Sequence, residues 1–309
     1  MFKWARLAMA VVALVAVAGC TATGRDTATA TAVRQAAEGG AADAQYAYGR
    51  LLLAGRGVVK DATEAARWLR MAAEQGYAEA QLSLGKLYFE GNGVPKDQAE
   101  TWRWNQKAAA QGHPTAMLNL GKMLSMGSGV PQDDAAAFVW LRKAAEKDQS
   151  EAQYLLGRAL EQGKGVAKDE AEAAGWHRKA ADKGHATAQV TLGILYERGR
   201  GVQQDYAEAA KWYRAAAEKG DAYGQVNLAR LVESGRGVDK DEAQAFRLYR
   251  SAAEKGLVSA QTDVGQMLLI GRGAARNVDE ALKWLRKAAG QGDTEAQRIL
   301  GRVLDAGRS

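Results

Sequence analysis

Small and apolar residues recur along this chain with a period of 36 residues. The dipeptide Ala-Gln marks most copies, at Ala44-Gln45, Ala80-Gln81, Ala152-Gln153, Ala188-Gln189, Ala260-Gln261 and Ala296-Gln297. The register never slips over seven full units and part of an eighth. A fixed period of this length predicts a solenoid, in which each unit buries its apolar face against its neighbours.

Each repeat predicts two helices. In the first helix, the columns that begin at Ala44, Tyr48, Leu51 and Leu52 are small or apolar, which is the spacing of one buried stripe. The second helix opens on Asp61 and its equivalents, which are good N-caps. A Glu or Gln stands three residues later in six of seven copies and predicts a reciprocal capping box. A tryptophan that recurs in the second helix is interpreted as core.

Glycine marks the borders of these helices. Of the 35 glycines, 29 fall in four columns: one inside the first helix, two in a Gly-x-Gly turn and one after the second helix. The helical column lets a neighbouring helix approach closely, and the turns use the left-handed region that glycine tolerates. At the C-terminal end, a column that is apolar from Tyr46 to Val226 becomes Thr262 and then Arg298, as expected of a polar cap.

The repeat unit A-x-A-Q-x-x-L-G-x-x-Y-x-x-G-x-G-V-x-x-D, followed by A-x-x-W and A-A-x-x-G, resembles the Sel-1-like repeat, a relative of the tetratricopeptide repeat. The resemblance covers residues 41–309. It implies an all-α fold, an α/α superhelical solenoid of seven 36-residue two-helix repeats with a half-repeat cap at each end. Residues 27–40 are interpreted as the N-terminal capping helix.

The N-terminus has the pattern of an export signal. Lys3 and Arg6 precede the apolar stretch Leu7–Ala18, which is short for a membrane span. Val17-Ala18-Gly19-Cys20 resembles a bacterial lipobox, which implies a signal peptide over residues 1–19, lipid attachment at Cys20 and a lipidated tether over 20–26. The non-acidic Thr21 favours the outer membrane, with the chain facing the periplasm. The alternative is an ordinary signal peptide with a chance cysteine.

Composition and residue spacing limit the kinds of functional site that this chain can contain. With 47% hydrophobic and 25% charged residues the chain is a folded protein, and one cysteine excludes a disulfide framework. His113, His177 and His185 have no metal-ligand spacing, and the first and last of them are interpreted as solvated turn residues. We therefore expect no metal and no cofactor. Loss of Lys3 and Arg6 with the signal lowers the formal charge from +6 to +4, which is too little for a nucleic-acid binder.

One catalytic motif occurs. Ser83-Leu84-Gly85-Lys86 has the S-x-x-K spacing of serine β-lactamases, but no Ser-Asp-Asn or Lys-Thr-Gly accompanies it. We interpret it as chance, and we expect the chain not to be an enzyme.

A variable stripe on the first helices is the candidate binding surface. In related solenoids these helices line the concave face. Its middle column, which begins at Arg50, is basic in six of eight copies. In Arg158/Glu161, Arg230/Glu233 and Arg302/Asp305 a carboxylate three residues later is expected to pair with the cation. In the first three repeats the cations are predicted to be unpaired beside apolar residues, although Glu90 stands one turn from Lys86. The hypothesised partner site is therefore Arg50, Leu53, Lys86, Phe89, Asn119, Lys122 and Met126. The alternative is an ordinary solvated surface.

Three functions remain open. The leading hypothesis is a scaffold or assembly factor that binds envelope proteins. A narrower one is an exopolysaccharide export or assembly lipoprotein that contacts an anionic polymer, with a second basic set on the turns: Arg56, Lys164, Arg200, Arg236 and Arg272. The third, from a different class, is a β-lactamase-like hydrolase, which the resemblance implies for some family members.

Overall fold

A computed structural model describes residues 23–306, and within that range the chain forms sixteen helices and no strands. Apart from α1, every helix has 13 residues. The helices are α1 (Thr23–Glu38), α2 (Ala42–Ala54), α3 (Ala62–Glu74), α4 (Ala78–Glu90), α5 (Gln98–Ala110), α6 (Pro114–Met126), α7 (Asp134–Glu146), α8 (Ser150–Gln162), α9 (Glu170–Asp182), α10 (Ala186–Arg198), α11 (Tyr206–Glu218), α12 (Ala222–Ser234), α13 (Glu242–Glu254), α14 (Val258–Ile270), α15 (Val278–Gly290) and α16 (Thr294–Ala306).

The described residues divide into two compact units, one up to residue 152 and one from residue 153. In the first unit, α1 packs on α2, the helices of each repeat pack on each other, and α3 and α5 pack on the first helix of the next repeat. The second unit has the same neighbour-to-neighbour packing from α10 to α16. The all-α solenoid of seven two-helix repeats is confirmed.

The glycine inside the first helix receives a large side chain from the second helix. A β-carbon at Gly49 would lie 2.8 Å from Leu69 Cγ, and one at Gly193 would lie 2.5 Å from the Tyr213 ring. The residues that fill this position are all buried: Leu69, Asn105, Leu141, His177, Tyr213, Tyr249 and Leu285. This column, and not the preceding tryptophan column, is the centre of each repeat. Trp104 and Trp212 are buried, but the other tryptophans of the predicted core column are only half-buried.

Within each compact unit, the second glycine of the Gly-x-Gly turn contacts the preceding two-helix unit or the N-terminal helix, as at Gly57, Gly93, Gly129, Gly201, Gly237 and Gly273. Gly93 has φ +73°, and a β-carbon there would lie 2.1 Å from the carbonyl oxygen of Ala62. Gly57 makes the same approach to Asp26, at the start of α1. Backbone therefore packs on backbone where consecutive repeats meet, and no side chain fits between them.

The recurring Gln ties three elements together. Gln81 is buried, and its Nε2 donates to the carbonyl oxygen of Ala73 at 3.0 Å, at the end of the preceding second helix. Its Oε1 accepts from Gln111 Nε2 at 2.8 Å, from the end of the second helix in its own repeat. Gln261 makes the same pair of bonds with Ala253 and Gln291. The Ala-Gln signature is thus a hydrogen-bonded joint between repeats.

Only one of the two hydrogen bonds of the predicted capping box is present. The Asp61 carboxylate accepts from the backbone N–H of Glu64 at 2.9 Å, as predicted, and its equivalents behave alike. The reciprocal bond is replaced, because the N–H of Asp61 donates to the carbonyl oxygen of Leu52 in the first helix. Glu64 instead accepts from Trp68 Nε1 at 2.9 Å, and the same bond recurs at Trp104 and Trp176.

The ends of the repeat array differ from the predicted boundaries. Helix α1 begins at Thr23, so residues 23–26 of the predicted tether are helical. The predicted signal and Cys20 lie outside the described residues. At the other end, Thr262 is buried and its hydroxyl donates to the carbonyl oxygen of Val258, so the polar cap begins only at the exposed Arg298.

We expect Gly93→Ala to lower the free energy of unfolding by about 2–4 kcal/mol, because the new methyl group meets the Ala62 carbonyl in a left-handed backbone. Urea unfolding followed by circular dichroism measures the change. Gly290→Ala is the matched control, since a β-carbon there has no neighbour within 4 Å and Ala favours the helix. Equal destabilisation of both variants would contradict the backbone contact.

Candidate functional site

A cavity of about 490 Å³ opens between α4, α5 and α6 in the first unit. Five of the seven residues of the predicted partner site line it: Lys86, Phe89, Asn119, Lys122 and Met126. Leu82 and Met123 add apolar wall, and Phe89 and Met126 are 48% and 67% exposed at its mouth. Large apolar side chains that are exposed to solvent beside a cavity are typical of a partner-binding surface.

The floor of this cavity is a pair of asparagines. Asn105 stands in the buried column that holds Leu, His or Tyr in the other repeats. Its Nδ2 donates to the carbonyl oxygen of Thr101 at 2.8 Å, and its Oδ1 accepts from Asn119 Nδ2 at 2.9 Å. An amide also has a second N–H and a carbonyl oxygen with two lone pairs. Asn119 can therefore offer a donor and an acceptor to a bound backbone amide.

The other two predicted residues lie elsewhere. Leu53 is half-buried and packs against the core residues around α2 and α3, because its position faces the next helix and not solvent. Arg50 is exposed on α2, with its guanidinium 5.8 Å from the centroid of the Tyr46 ring. Neither residue lines the cavity.

The prediction of an unpaired cation is wrong at Lys122, whereas at Lys86 the partner is Glu90, which the sequence places one turn away. Lys122 Nζ lies 2.7 Å from Glu151 Oε1, and Lys86 Nζ lies 3.7 Å from Glu90 Oε1. Both pairs are partly exposed, so each contributes at most about 1 kcal/mol. The sequence did not predict Glu151 as the partner of Lys122, because Glu151 belongs to the next repeat. The mouth of the cavity is consequently mixed in charge.

In the second unit, carboxylates occupy the positions that correspond to Phe89 and reach into the buried column. Glu161 Oε2 lies 3.2 Å from His177 Nε2, Tyr213 donates to Glu197 at 2.6 Å, and Tyr249 donates to Glu233 at 3.2 Å. The hydrogen bond from His177 holds the pKa of Glu161 below its usual range, and burial raises the pKa of both tyrosines. A spacing of 16 residues, repeated three times, was the available sequence signal.

These contacts also correct the predicted charge pairs on the first helices. Arg230 bonds Glu197 of the preceding repeat at 3.1 Å, and Glu233 lies 2.8 Å from Arg272. The basic turn set is partly neutralised in the same way, since Arg200 lies 3.1 Å from Glu170. Arg200 and Arg272 therefore give an anionic polymer little free positive charge on the turns of the second unit.

Asp263 on α14 is the most perturbed acid of the second unit. Burial raises the pKa of its carboxyl to about 6, and the nearby charge of Glu233 acts in the same direction. Arg230 and Arg272 oppose this shift. An ionised Asp263 therefore destabilises the folded chain at neutral pH.

The histidines are structural. His177 is fully buried, while His113 and His185 are half-buried N-caps of first helices and not solvated turn residues. His185 Nδ1 accepts from the N–H of Ala188, and its ring stacks on Tyr154 with centroids 4.9 Å apart.

Over residues 23–306, no group of three or more His, Cys, Asp or Glu side chains is arranged to hold a metal ion. In the same range, no helix has the length and apolar character to cross a bilayer.

Seven consecutive segments match a family model described as the Sel1 repeat, at residues 42–77, 78–113, 114–149, 150–185, 186–221, 222–257 and 258–293. A protective antigen present in uropathogenic Escherichia coli strains, which displays an SLR fold, superposes with a TM-score of 0.87 at 40% identity. The match covers 89% of this chain and 59% of the antigen, so the chain spans less than two thirds of that protein. A Sel1 repeat protein from Oxalobacter formigenes superposes with a TM-score of 0.75 at 33% identity, over 92% and 83% of the two chains. No curated protein matches the sequence.

We expect Asp263→Asn to stabilise the chain at neutral pH. The folded chain holds the Asp263 proton more tightly than the unfolded chain, so the free energy of unfolding falls as the pH rises from about 4 to about 6. At about pH 7.5 the variant should gain on the order of 1–3 kcal/mol over the natural chain, and below about pH 4 the difference should vanish. Urea unfolding at several pH values measures this. Asp279→Asn, at an exposed position of α15, is the control, and a pH-independent gain at Asp263 would contradict the assignment.

Proposed function

Because this chain belongs to the Sel1 repeat family, we propose that it is a non-enzymatic scaffold that binds a partner protein in the α4–α6 cavity. Solenoids of this type are typically protein-interaction scaffolds, and their repeats differ mainly in the residues that face the partner. The observation that carries the proposal is the meeting of exposed Phe89 and Met126 with the Asn105–Asn119 floor. Apolar anchors and a backbone-binding amide suit a segment of polypeptide.

The scaffold would act at the bacterial cell envelope. In this proposal residues 1–19 direct export and are removed, and Cys20 becomes the lipid-modified first residue. More than one acyl chain on that residue would hold the protein stably on a membrane, whereas a single chain would not. The proposed location is the periplasmic face of the outer membrane, and the proposed partners are other envelope proteins. The support is the lipobox-like sequence and the position of the chain's one cysteine within it.

We expect Met126→Asp to reduce recovery of the partner more than tenfold, because a charge at the mouth of the cavity removes an apolar anchor. The measurement is in-cell photocrosslinking from a photoreactive residue at position 89, followed by identification of the crosslinked protein. Val139→Asp is the matched control, since Val139 is a 50% exposed apolar residue on α7 outside the cavity lining. Loss of the crosslink in both variants, or in neither, would count against this binding surface.

A hydrolase is the second candidate, because Ser83 and Lys86 both line the cavity. In serine β-lactamases the lysine of the S-x-x-K motif lies in a site with further catalytic residues. Here the Lys86 ammonium instead lies 3.7 Å from Glu90 on the helix surface.

We expect the purified chain and its Ser83→Ala variant to hydrolyse a chromogenic cephalosporin at the same background rate. Absorbance assays of both proteins, prepared in parallel, measure this rate. Hydrolysis above background that Ser83→Ala abolishes would replace the scaffold proposal with an enzymatic one.

A further inference from the structure

The Gly-x-Gly turns of the first unit form a row beside the start of α1. A β-carbon at Gly57 would lie 2.2 Å from the carbonyl oxygen of Asp26, so the first turn packs directly on the first turn of α1. Gly93 and Gly129 make the same approach to Ala62 and Gln98, at the starts of α3 and α5. We call this row the turn edge of the first unit, residues 55–61, 91–97 and 127–133.

The first two turns of the turn edge each present an apolar residue followed by a lysine. Val59 is 87% exposed, the highest value among the exposed large apolar residues, and it is followed by Lys60. The next turns present exposed Pro95, with Lys96 after it, and exposed Pro131. In the fifth and sixth repeats the position of Val59 is polar, Gln203 and Asp239. In the fourth and seventh repeats it is alanine, Ala167 and Ala275, so a valine or proline followed by lysine occurs only in the first two repeats after Cys20.

Acidic residues at this edge are engaged in the fold. Asp61 and Asp97 each accept backbone N–H bonds at the start of the following helix. Their charges are offset there by the positive end of the helix dipole. Lys60 and Lys96 are exposed on the same turns, and the Lys96 ammonium lies 5.8 Å from the centroid of the Phe89 ring.

The separation between Cys20 and α1 places this edge close to a tethering membrane. Three peptide links join Cys20 to Thr23, and they span at most about 11 Å. The headgroup layer of a bilayer is on the order of 5–7 Å thick, and lysine and arginine near an anionic surface each gain about 1 kcal/mol. The first turn, which touches Asp26, cannot move far from that layer if Cys20 carries lipid.

We propose that the turn edge of the first unit lies on the surface of an anionic phospholipid membrane, with Val59 in the headgroup layer and Lys60 and Lys96 against lipid phosphates. This inference rests on the proposed lipidation of Cys20. It adds an orientation of the first unit on the membrane. The lipid on Cys20 and the turn edge both contact the membrane, so the unit lies with this edge on the surface and does not hang from a flexible lipidated linker.

Lysine acylation tests the proposal in the full mature chain. The natural lipidated protein is reconstituted in vesicles of anionic or zwitterionic phospholipid and treated with a water-soluble acylating reagent. Mass spectrometry then measures the extent of acylation at each lysine. Lys60 is the reporter, and Lys147 is the internal control, because it is exposed at the opposite end of α7. On anionic vesicles we expect Lys60 to react about fivefold more slowly than in detergent, with Lys147 unchanged.

Two variants and a chemical tether make each outcome decisive. Val59→Asp should restore the reactivity of Lys60 on anionic vesicles, while the matched Gln203→Asp should not. If mass spectrometry finds no lipid on Cys20 in cells, the proposed anchoring fails. The edge is then tested on the chain that begins at Cys20, coupled through its one thiol to a maleimide lipid. Equal reactivity of Lys60 on vesicles and in solution, with either tether, would overturn the inference.

Discussion

The absence of a β-carbon at two recurring positions is the constraint on which this structure depends, and of the seven repeats only the sixth, with Ala229, has a β-carbon at the first of them. Inside the first helix, glycine makes the space that the buried residue of the second helix fills, as Leu69 does at Gly49. In the turn, Gly93 lies against the carbonyl of Ala62 in the preceding repeat. The first contact closes a helix pair and the second stacks pairs. A side chain fills the first space and backbone meets backbone at the second. An inserted residue would disrupt both contacts, which explains a period that never slips.

Polar groups complete the joints that glycine makes possible. The buried Gln81 bonds the ends of two successive second helices, and Asp61 bonds both its own helix and the carbonyl of Leu52. These contacts satisfy helix-end N–H and C=O groups that would otherwise be buried without partners. Nearest-neighbour packing and satisfied helix ends therefore stabilise the repeat together.

The candidate site arises where one repeat departs from this plan. Asn105 replaces the bulky buried residue of other repeats and pairs with Asn119, and a cavity lies above this pair. Five residues of the cavity were predictable because a helical stripe places them on one face. Leu53 was not, since burial of its position depends on the neighbouring helix. The partner of Lys122 also escaped prediction, because Glu151 is distant in sequence and comes close only when repeats stack.

The sequence by itself determined the helices, their borders and the number of repeats, because periodicity, N-caps and glycine columns are local signals repeated seven times. It also located the variable surface of the first helices. Only the tertiary structure decided which residue of the second helix is central, where each carboxylate pairs, and that Asn105 leaves a cavity. Those outcomes depend on atoms of different helices and repeats that come together only in the fold. The order of residues along the chain does not give the distances between such atoms.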